Sequence, residues 1–374
     1  MKIFPVGIAY GSSFYDRIEE RKKLRQLLES NQHTTIIAPR RFGKTSLIRK
    51  VIDEHNYPHI WVDLMAFTDK TEATNQIVKH IGDLVIKIGR TEAKIKGILK
   101  KFLNYLKPEL SLDIASEFKL SLNFASSKTE SPPDITKALM TLDDIAQYMD
   151  VRVIFVFDEF QEIVALEKNN NAFQGAIRHA VERSQNATYI FSGSKHETLK
   201  RLFTGKKNPL YELCNLMSLE LISEAYYQEY LTSEFEKRWK NTVDHSVIGR
   251  ILHHTKCYPK YVNALCLSLW ASDKKPDVDM VDLYWQDFMF SRKSSIREEL
   301  NSLKMSDRKL LRSLCFQATK EPTSLEYSQH SLLPTSTTGR SLRALMTNDF
   351  IYIDQAGFYR PIDPTYRAYF ELFG

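Results

Sequence analysis

The stretch Thr34-Thr35-Ile36-Ile37-Ala38-Pro39-Arg40-Arg41-Phe42-Gly43-Lys44-Thr45-Ser46 decides the fold. Its opening is a short β-branched run, which favours extended chain. From Thr45 to Ile52, Leu47, Ile48 and Val51 recur at helical spacing. The segment reads as strand, loop and helix, with Gly43-Lys44-Thr45 where the helix begins. In that setting the loop's backbone N–H groups wrap phosphate, and the positive end of the helix dipole lies beneath it. Lys44 is expected to reach the β- and γ-phosphates of a nucleotide, and the Thr45 hydroxyl to ligate Mg²⁺. Gly43 lets the backbone approach phosphate with no Cβ in the way. The phosphate-loop pattern asks for glycine at position 38, where this chain has Ala38. Pro39 biases that residue towards an extended conformation, which alanine accepts.

A second signal lies downstream. Val153-Ile154-Phe155-Val156-Phe157-Asp158-Glu159 is an apolar strand, of the kind covered on both faces, that ends in two carboxylates. Beside the phosphate loop, such a strand sets Asp158 at the carboxyl edge of the sheet near the metal. Glu159 then polarises the water that attacks the γ-phosphate. Alone, the pair reads equally as an acidic turn after a core strand; the upstream loop tips the reading. A further buried strand, Thr188–Ser192, runs into Ser192-Gly193-Ser194. Ser194 there either senses the γ-phosphate or orients the water, or else simply makes the turn out of the strand.

Outward from these motifs, Ile60–Leu64 reads as another buried strand and residues 172–183 as a helix. Strands separated by helices predict an α/β protein with a parallel sheet and crossover connections. Thr71 to Lys107 carries apolar residues at helical spacing with lysines between them, read as a solvated helix rather than a membrane-surface one. Leu110–Phe124 alternates as a strand or hairpin does, and Ser126–Asp134 is a polar loop. From Ser223 to about Arg292 strands give way to helices. Beyond residue 306, two helical segments precede Phe350-Ile351-Tyr352-Ile353, a turn at Gln355-Ala356-Gly357, and Phe358-Tyr359-Arg360. Helices followed by a hairpin predict a winged-helix module, with Ser336 capping a recognition helix that exposes Arg340 and Arg343. The expected domains are therefore 1–222, 223–300 as a helical lid, and 301–374.

The 374 residues exceed what one core usually serves, and 43% hydrophobic with 26% charged content is that of an ordinary globular protein. A net charge of +6 allows nucleic-acid contact without requiring it. From 306 to 374, eight basic residues face seven acidic ones, a balance of +1 that favours docking within the chain or on protein over DNA reading. Cys214, Cys257, Cys266 and Cys315 include no C-x-x-C pair, so neither a disulfide framework nor a zinc site is expected. Adjacent His253 and His254 would not face one ligand on a helix. No apolar run approaches the ~20 residues that span a bilayer, and Met1–Gly11 lacks a signal-peptide core. The expectation is a cytoplasmic protein with no membrane partner.

Taken in order, these residues resemble the archaeal-type ATPase family, in the STAND branch of the AAA+ P-loop NTPases. Pro39 to Leu47 is similar to its phosphate loop, Arg40, Arg41, Phe42 and Ser46 included. Phe157-Asp158-Glu159-Phe160-Gln161 resembles its Walker B segment, and Ser192-Gly193-Ser194 its sensor-like strand end. Phe14 to Glu20 looks like its entry segment, which implies that Arg17 lies near the adenine. Ile362-Asp363-Pro364 with Tyr366-Arg367 resembles its winged-helix ending. The resemblance implies ATP as the nucleotide, hydrolysis with Mg²⁺, and a switch whose lid and winged helix report nucleotide state through a protein partner or self-association. Two departures stand out. The family's lid usually carries Gly-x-Pro, here Cys257-Tyr258-Pro259, with Tyr258 and Pro259 on the nucleotide side. Its proline-leucine-tyrosine-glycine-arginine run is here Pro209-Leu210-Tyr211-Glu212-Leu213, without the arginine. An arginine at the γ-phosphate is worth about 10³–10⁵ in rate, so turnover is expected to be slow or partner-stimulated. Arg178, Arg183 and Arg201 are the candidates to replace it. The alternative function is an initiator- or regulator-like DNA binder that uses ATP to set its DNA affinity.

Overall fold

The computed structural model describes residues 3–88, 134–167 and 171–374. Leu110–Phe124, nearly all of the Ser126–Asp134 loop, and the 71–107 stretch past Ile88 lie outside the described residues. The chain divides into two units: Glu19–Ile37 with Leu47–Ser218, and Met1–Ile18 with Ala38–Ser46 and Leu219–Gly374.

The first unit is built on five parallel strands: β1 (Thr34–Ile37), β2 (His59–Asp63), β3 (Val153–Asp158), β4 (Ala187–Gly193) and β5 (Asn215–Ser218), in the order β2-β3-β4-β1-β5. All of β3 and β4 is buried, so these strands read as continuous apolar runs rather than as alternation. Their register sets Phe155 opposite Tyr189 and Phe157 opposite Phe191. Both pairs stack, with ring centroids 5.6 and 5.4 Å apart. Each is worth about 0.5–1.5 kcal/mol beyond its buried area, which helps hold the register of the two central strands. The helices here are α1 (Ile18–Glu29), α2 (Lys44–Glu54, its first turn in the other unit), α3 (Lys70–Ile88), α4 (Ile135–Met149), α5 (Ile163–Leu166), α6 (Ala172–Val181) and α7 (His196–Thr204). Asp134 starts α4 by accepting the N–H groups of Thr136 and Lys137, and Asp150 ends it in the left-handed region.

Two features depart from the sequence reading. The acidic strand β3 does not neighbour the loop-bearing strand β1; β4 lies between them. Strand β5 gave no signal, because only Met217 of its four residues is buried.

The second unit holds α8 (Glu224–Trp239), α9 (His245–Thr255), α10 (Pro259–Trp270), α11 (Val278–Asn301), α12 (Met305–Phe316), α13 (Leu325–Ser331), α14 (Thr335–Thr347), an antiparallel pair β6 (Ile351–Ile353) and β7 (Tyr359–Pro361), and α15 (Thr365–Phe373). Ser223, Asp244 and Asp277 cap α8, α9 and α11 by accepting helical N–H groups. Phe4 packs edge-on against Phe235 and Trp270, and Trp270 meets Trp239 at 5.6 Å. Helix α14 starts at Thr335 with Pro334 at its N-cap position, two residues ahead of the expected Ser336 cap, and Arg340 and Arg343 are exposed along it. Among the described residues no helix is long and apolar enough to cross a membrane.

Candidate functional site

The loop Ala38–Gly43 follows β1 directly and ends where α2 begins at Lys44. Ala38 keeps a negative φ, so the missing glycine costs the backbone nothing there, whereas Arg41 (φ +71°) and Gly43 (φ +93°) are left-handed. A Cβ on Gly43 would meet no atom within 4 Å. Here the glycine is required by backbone conformation before any question of space. The Lys44 ammonium donates to the carbonyls of Ala38 (2.8 Å) and Pro39 (3.1 Å), curled over its own loop. Thr45 is half-buried in the first turn, and the Ser46 hydroxyl accepts from the Ala9 N–H at 3.0 Å. Arg17 is buried and left-handed, and donates to the carbonyls of Phe42 (3.0 Å) and Glu220 (2.6 Å). Arg40 faces solvent.

Residues 41 and 42 of the loop are gripped from elsewhere in the same unit. The Arg41 guanidinium ion-pairs with Asp363 and donates to the Tyr261 hydroxyl. Tyr261 donates in turn to Asp363 at 2.5 Å, and Arg292 donates to Tyr261 at 3.0 Å. The other Asp363 oxygen accepts the N–H (2.9 Å) and hydroxyl (2.6 Å) of Thr365 at the start of α15. Burial would lower the Arg41 pKa; Tyr261 and Asp363 outweigh it and hold it above the usual arginine value. Phe42 is fully buried, edge-on to Tyr258 (5.5 Å) and Tyr352 (5.8 Å). Tyr258 donates to the carbonyl of Pro361 at 3.0 Å, and Pro259 is the first residue of α10. Just before them, Lys256 and Cys257 are both left-handed, Cys257 at φ +59°.

The acidic strand end forms in the other unit. Asp158 is the last residue of β3 and accepts from the Ser192 hydroxyl at 2.6 Å and the Glu159 N–H at 3.1 Å. Glu159 adopts φ +48°. Its Oε2 accepts the Ser194 hydroxyl (2.6 Å), the Ser194 N–H (3.2 Å) and the Gln161 amide (2.6 Å). Asp63, opposite Asp158 in the β2–β3 register, has its carboxyl pushed up by burial and then by Asp158, Glu159 and Glu162. Lys195 pairs with Glu162 at 2.9 Å. Gln161 had no sequence signal beyond trailing the acidic pair.

Among the described residues no group of three or more His, Cys, Asp or Glu side chains forms a metal cage. The Thr45 hydroxyl and, in the other unit, the Asp158 carboxylate are each oxygen donors of the hard kind that Mg²⁺ takes. Of the three candidate arginines, Arg178 donates to the carbonyls of Pro209 and Tyr211 and pairs with Glu182, bracing the segment that follows α7. Arg183 donates to the His179 carbonyl, and Arg201 is exposed. His254 meets Asp282 at 2.6 Å and stacks on Trp285.

No protein-family model and no curated protein matches the chain. Solved structures do. The Walker-type ATPase PABY2304 of Pyrococcus abyssi is 18% identical with a TM-score of 0.67, over 99% of this chain and 100% of that one. The ORC2 protein of Aeropyrum pernix in its ADPNP–ADP complexes is 12% identical with a TM-score of 0.54, over 99% and 98%. Its ADP form is 11% identical with a TM-score of 0.50, over 93% and 90%. Identities this low speak to the fold alone. That fold, a five-stranded parallel sheet flanked by helices, is the P-loop NTPase fold of the AAA+ type.

Proposed function

We propose that this chain binds ATP with Mg²⁺, hydrolyses it to ADP and phosphate, and works as a STAND-type switch. The loop Pro39–Ser46 wraps the phosphates with its N–H groups, and Lys44 exchanges its bonds to the Ala38 and Pro39 carbonyls for phosphate oxygens. Thr45 and Asp158 are the protein ligands of Mg²⁺, which when bound neutralises charge on the β- and γ-phosphates. Glu159 accepts a proton from the water that attacks the γ-phosphorus, Ser194 orients that carboxylate, and the bond to the β-phosphate oxygen breaks. Arg17, Tyr258 and Pro259 lie on the nucleoside side.

The observation that carries the switch reading is the grip on Arg41 and Phe42 by Tyr258, Tyr261, Tyr352 and Asp363. A change in loop conformation is felt directly by α10 and the C-terminal elements, which act as lid (223–300) and winged helix (301–374). The readout is taken up by a protein partner or a second copy of the chain, in the cytoplasm. Arg340 and Arg343, exposed on α14, favour a second reading in which DNA is the partner. A salt-dependent band shift supports that reading, and no shift at low salt removes it.

The test of the enzyme is phosphate release from Mg-ATP by wild type and Glu159→Gln, with nucleotide binding measured in both. Turnover by wild type alone, with binding in both, is the expected result; removal of a general base costs about 10²–10⁴ in rate. Wild type that binds no nucleotide overturns the reading. Binding without turnover in either protein leaves a switch that lacks its arginine until a partner supplies one.

A further inference from the structure

Gln161 sits in the turn Phe160–Glu162 that follows β3, and it is 2% exposed. Its amide nitrogen donates to Glu159 Oε2 at 2.6 Å and more weakly to Glu162 Oε1 at 3.3 Å. Its amide oxygen is buried without a hydrogen-bond partner in the protein. An unpaired buried acceptor costs about 1–3 kcal/mol, so the amide is held by something other than its own hydrogen-bond balance. The cause is the space it occupies. The oxygen lies against Gly193, at the end of β4, where a Cβ would stand only 2.0 Å from it and 3.2 Å from its carbon. Gly193 has no positive φ, so the glycine is needed there for close approach and not for backbone freedom.

These contacts converge on one atom. Glu159 Oε2 takes the Gln161 amide, the Ser194 hydroxyl and the Ser194 N–H, three donors from two strand ends. The two oxygens of a carboxylate offer about four lone-pair sites between them, so three donors on one oxygen fill it and fix its direction. Glu159 itself is left-handed at φ +48°, a conformation that needs outside support in a residue with a Cβ. Ser194 belongs to the strand end already assigned a role; Gln161 does not. We propose that Gln161 is a positioning residue that aims the Glu159 carboxylate, and that Gly193 exists to admit its amide. The claim rests on the reading of Glu159 as the base for the attacking water.

The experiment uses Gln161→Ala, Gly193→Ala and the double variant of the full chain, with Glu159→Ala as a partner for unfolding cycles. Expected is a drop in kcat for phosphate release of about 10- to 100-fold in Gln161→Ala, with KM and nucleotide affinity unchanged, since a misaimed group loses rate and not binding. Gly193→Ala gives a similar drop on its own. In the double variant it adds little, because the shortened side chain vacates the space its methyl needs and leaves only Leu199 Cδ2, at 3.3 Å, to give by a few tenths of an ångström. Gln161→Glu fails to restore the rate, as a second carboxylate repels the first. Wild-type kcat in Gln161→Ala, or a rise in KM that accounts for the loss, overturns the proposal. The unfolding cycle of Gln161→Ala with Glu159→Ala reads the positioning without any turnover. The two effects on the unfolding constant fall short of multiplying by about tenfold if the contact aims the carboxylate. If wild type alone releases no phosphate, the rate comparison has no baseline. The positioning claim then stands or falls on that cycle, and simple multiplication of the two effects refutes it.

Discussion

Asp363→Asn isolates one charge at the centre of the grip on Arg41 and the loop Ala38–Gly43. Asparagine keeps its oxygen for the Thr365 N–H and hydroxyl, and then turns its N–H₂, a donor, towards the Arg41 guanidinium and the Tyr261 hydroxyl. What is lost is the ion pair. Removing one partner of a fully buried pair costs about 3–5 kcal/mol, and an exposed pair is worth about 0–1 kcal/mol. Here the Asp363 side chain is 7% exposed while that of Arg41 is 31% exposed, so solvent screens one end only. The expected loss is about 2 kcal/mol, which at ~2–4 °C per kcal/mol for a domain of this size lowers Tm by about 4–8 °C. Tyr261→Phe keeps the pair but removes a hydroxyl that donates to Asp363 at 2.5 Å and accepts from Arg41 and Arg292, so its loss is of comparable size, about 1.5–3 kcal/mol. The assay is urea unfolding of nucleotide-free protein for wild type, Arg41→Gln, Asp363→Asn and the double variant. A coupling of about 1–2 kcal/mol is expected between the two positions. Additivity within about 0.5 kcal/mol would refute the reasoning, because it would mean that Arg41 and Asp363 act independently.

Two further outcomes follow from single residues. His33 accepts the Tyr189 N–H at Nδ1 (3.2 Å) and so must carry its proton on Nε2, which meets the Val181 carbonyl at 2.9 Å. Burial lowers its pKa, so the unfolded chain takes up the proton first; stability is full above about pH 6.5 and falls as pH drops below it. In urea unfolding at pH 7.5, 6.5 and 5.5, His33→Gln should show a shallower loss than wild type, and an equal slope would count against the neutral assignment. Cys257 sits at φ +59° where the resembled family carries glycine, and a left-handed residue with a Cβ costs about 1–2 kcal/mol. Cys257→Gly recovers that, less about 0.5–1 kcal/mol of glycine's extra chain entropy, for a net gain of about 0.5–1 kcal/mol; a lower melting temperature would show that the thiol packs better than the backbone is strained.

What the chain alone determined is local. A β-branched run into Gly43-Lys44-Thr45, and a strand ending in Asp158-Glu159, are short-range patterns, and the parallel sheet follows from strands separated by helices. Even here a four-residue edge strand with one buried side chain, β5, left too little pattern to see. So did the insertion of β4 between β1 and β3, because strand order depends on crossover connections and not on any strand's own residues. Tertiary structure alone decided the contacts that join distant parts of the chain. Arg41 and Asp363 are 322 residues apart, and the fit of the Gln161 amide against Gly193 requires β4 to lie alongside β3. Hydrophobic periodicity reports which face of an element is buried, but it carries no information on which buried polar groups meet. That is set only when the elements pack and each buried charge or amide must find the partner that offsets its desolvation.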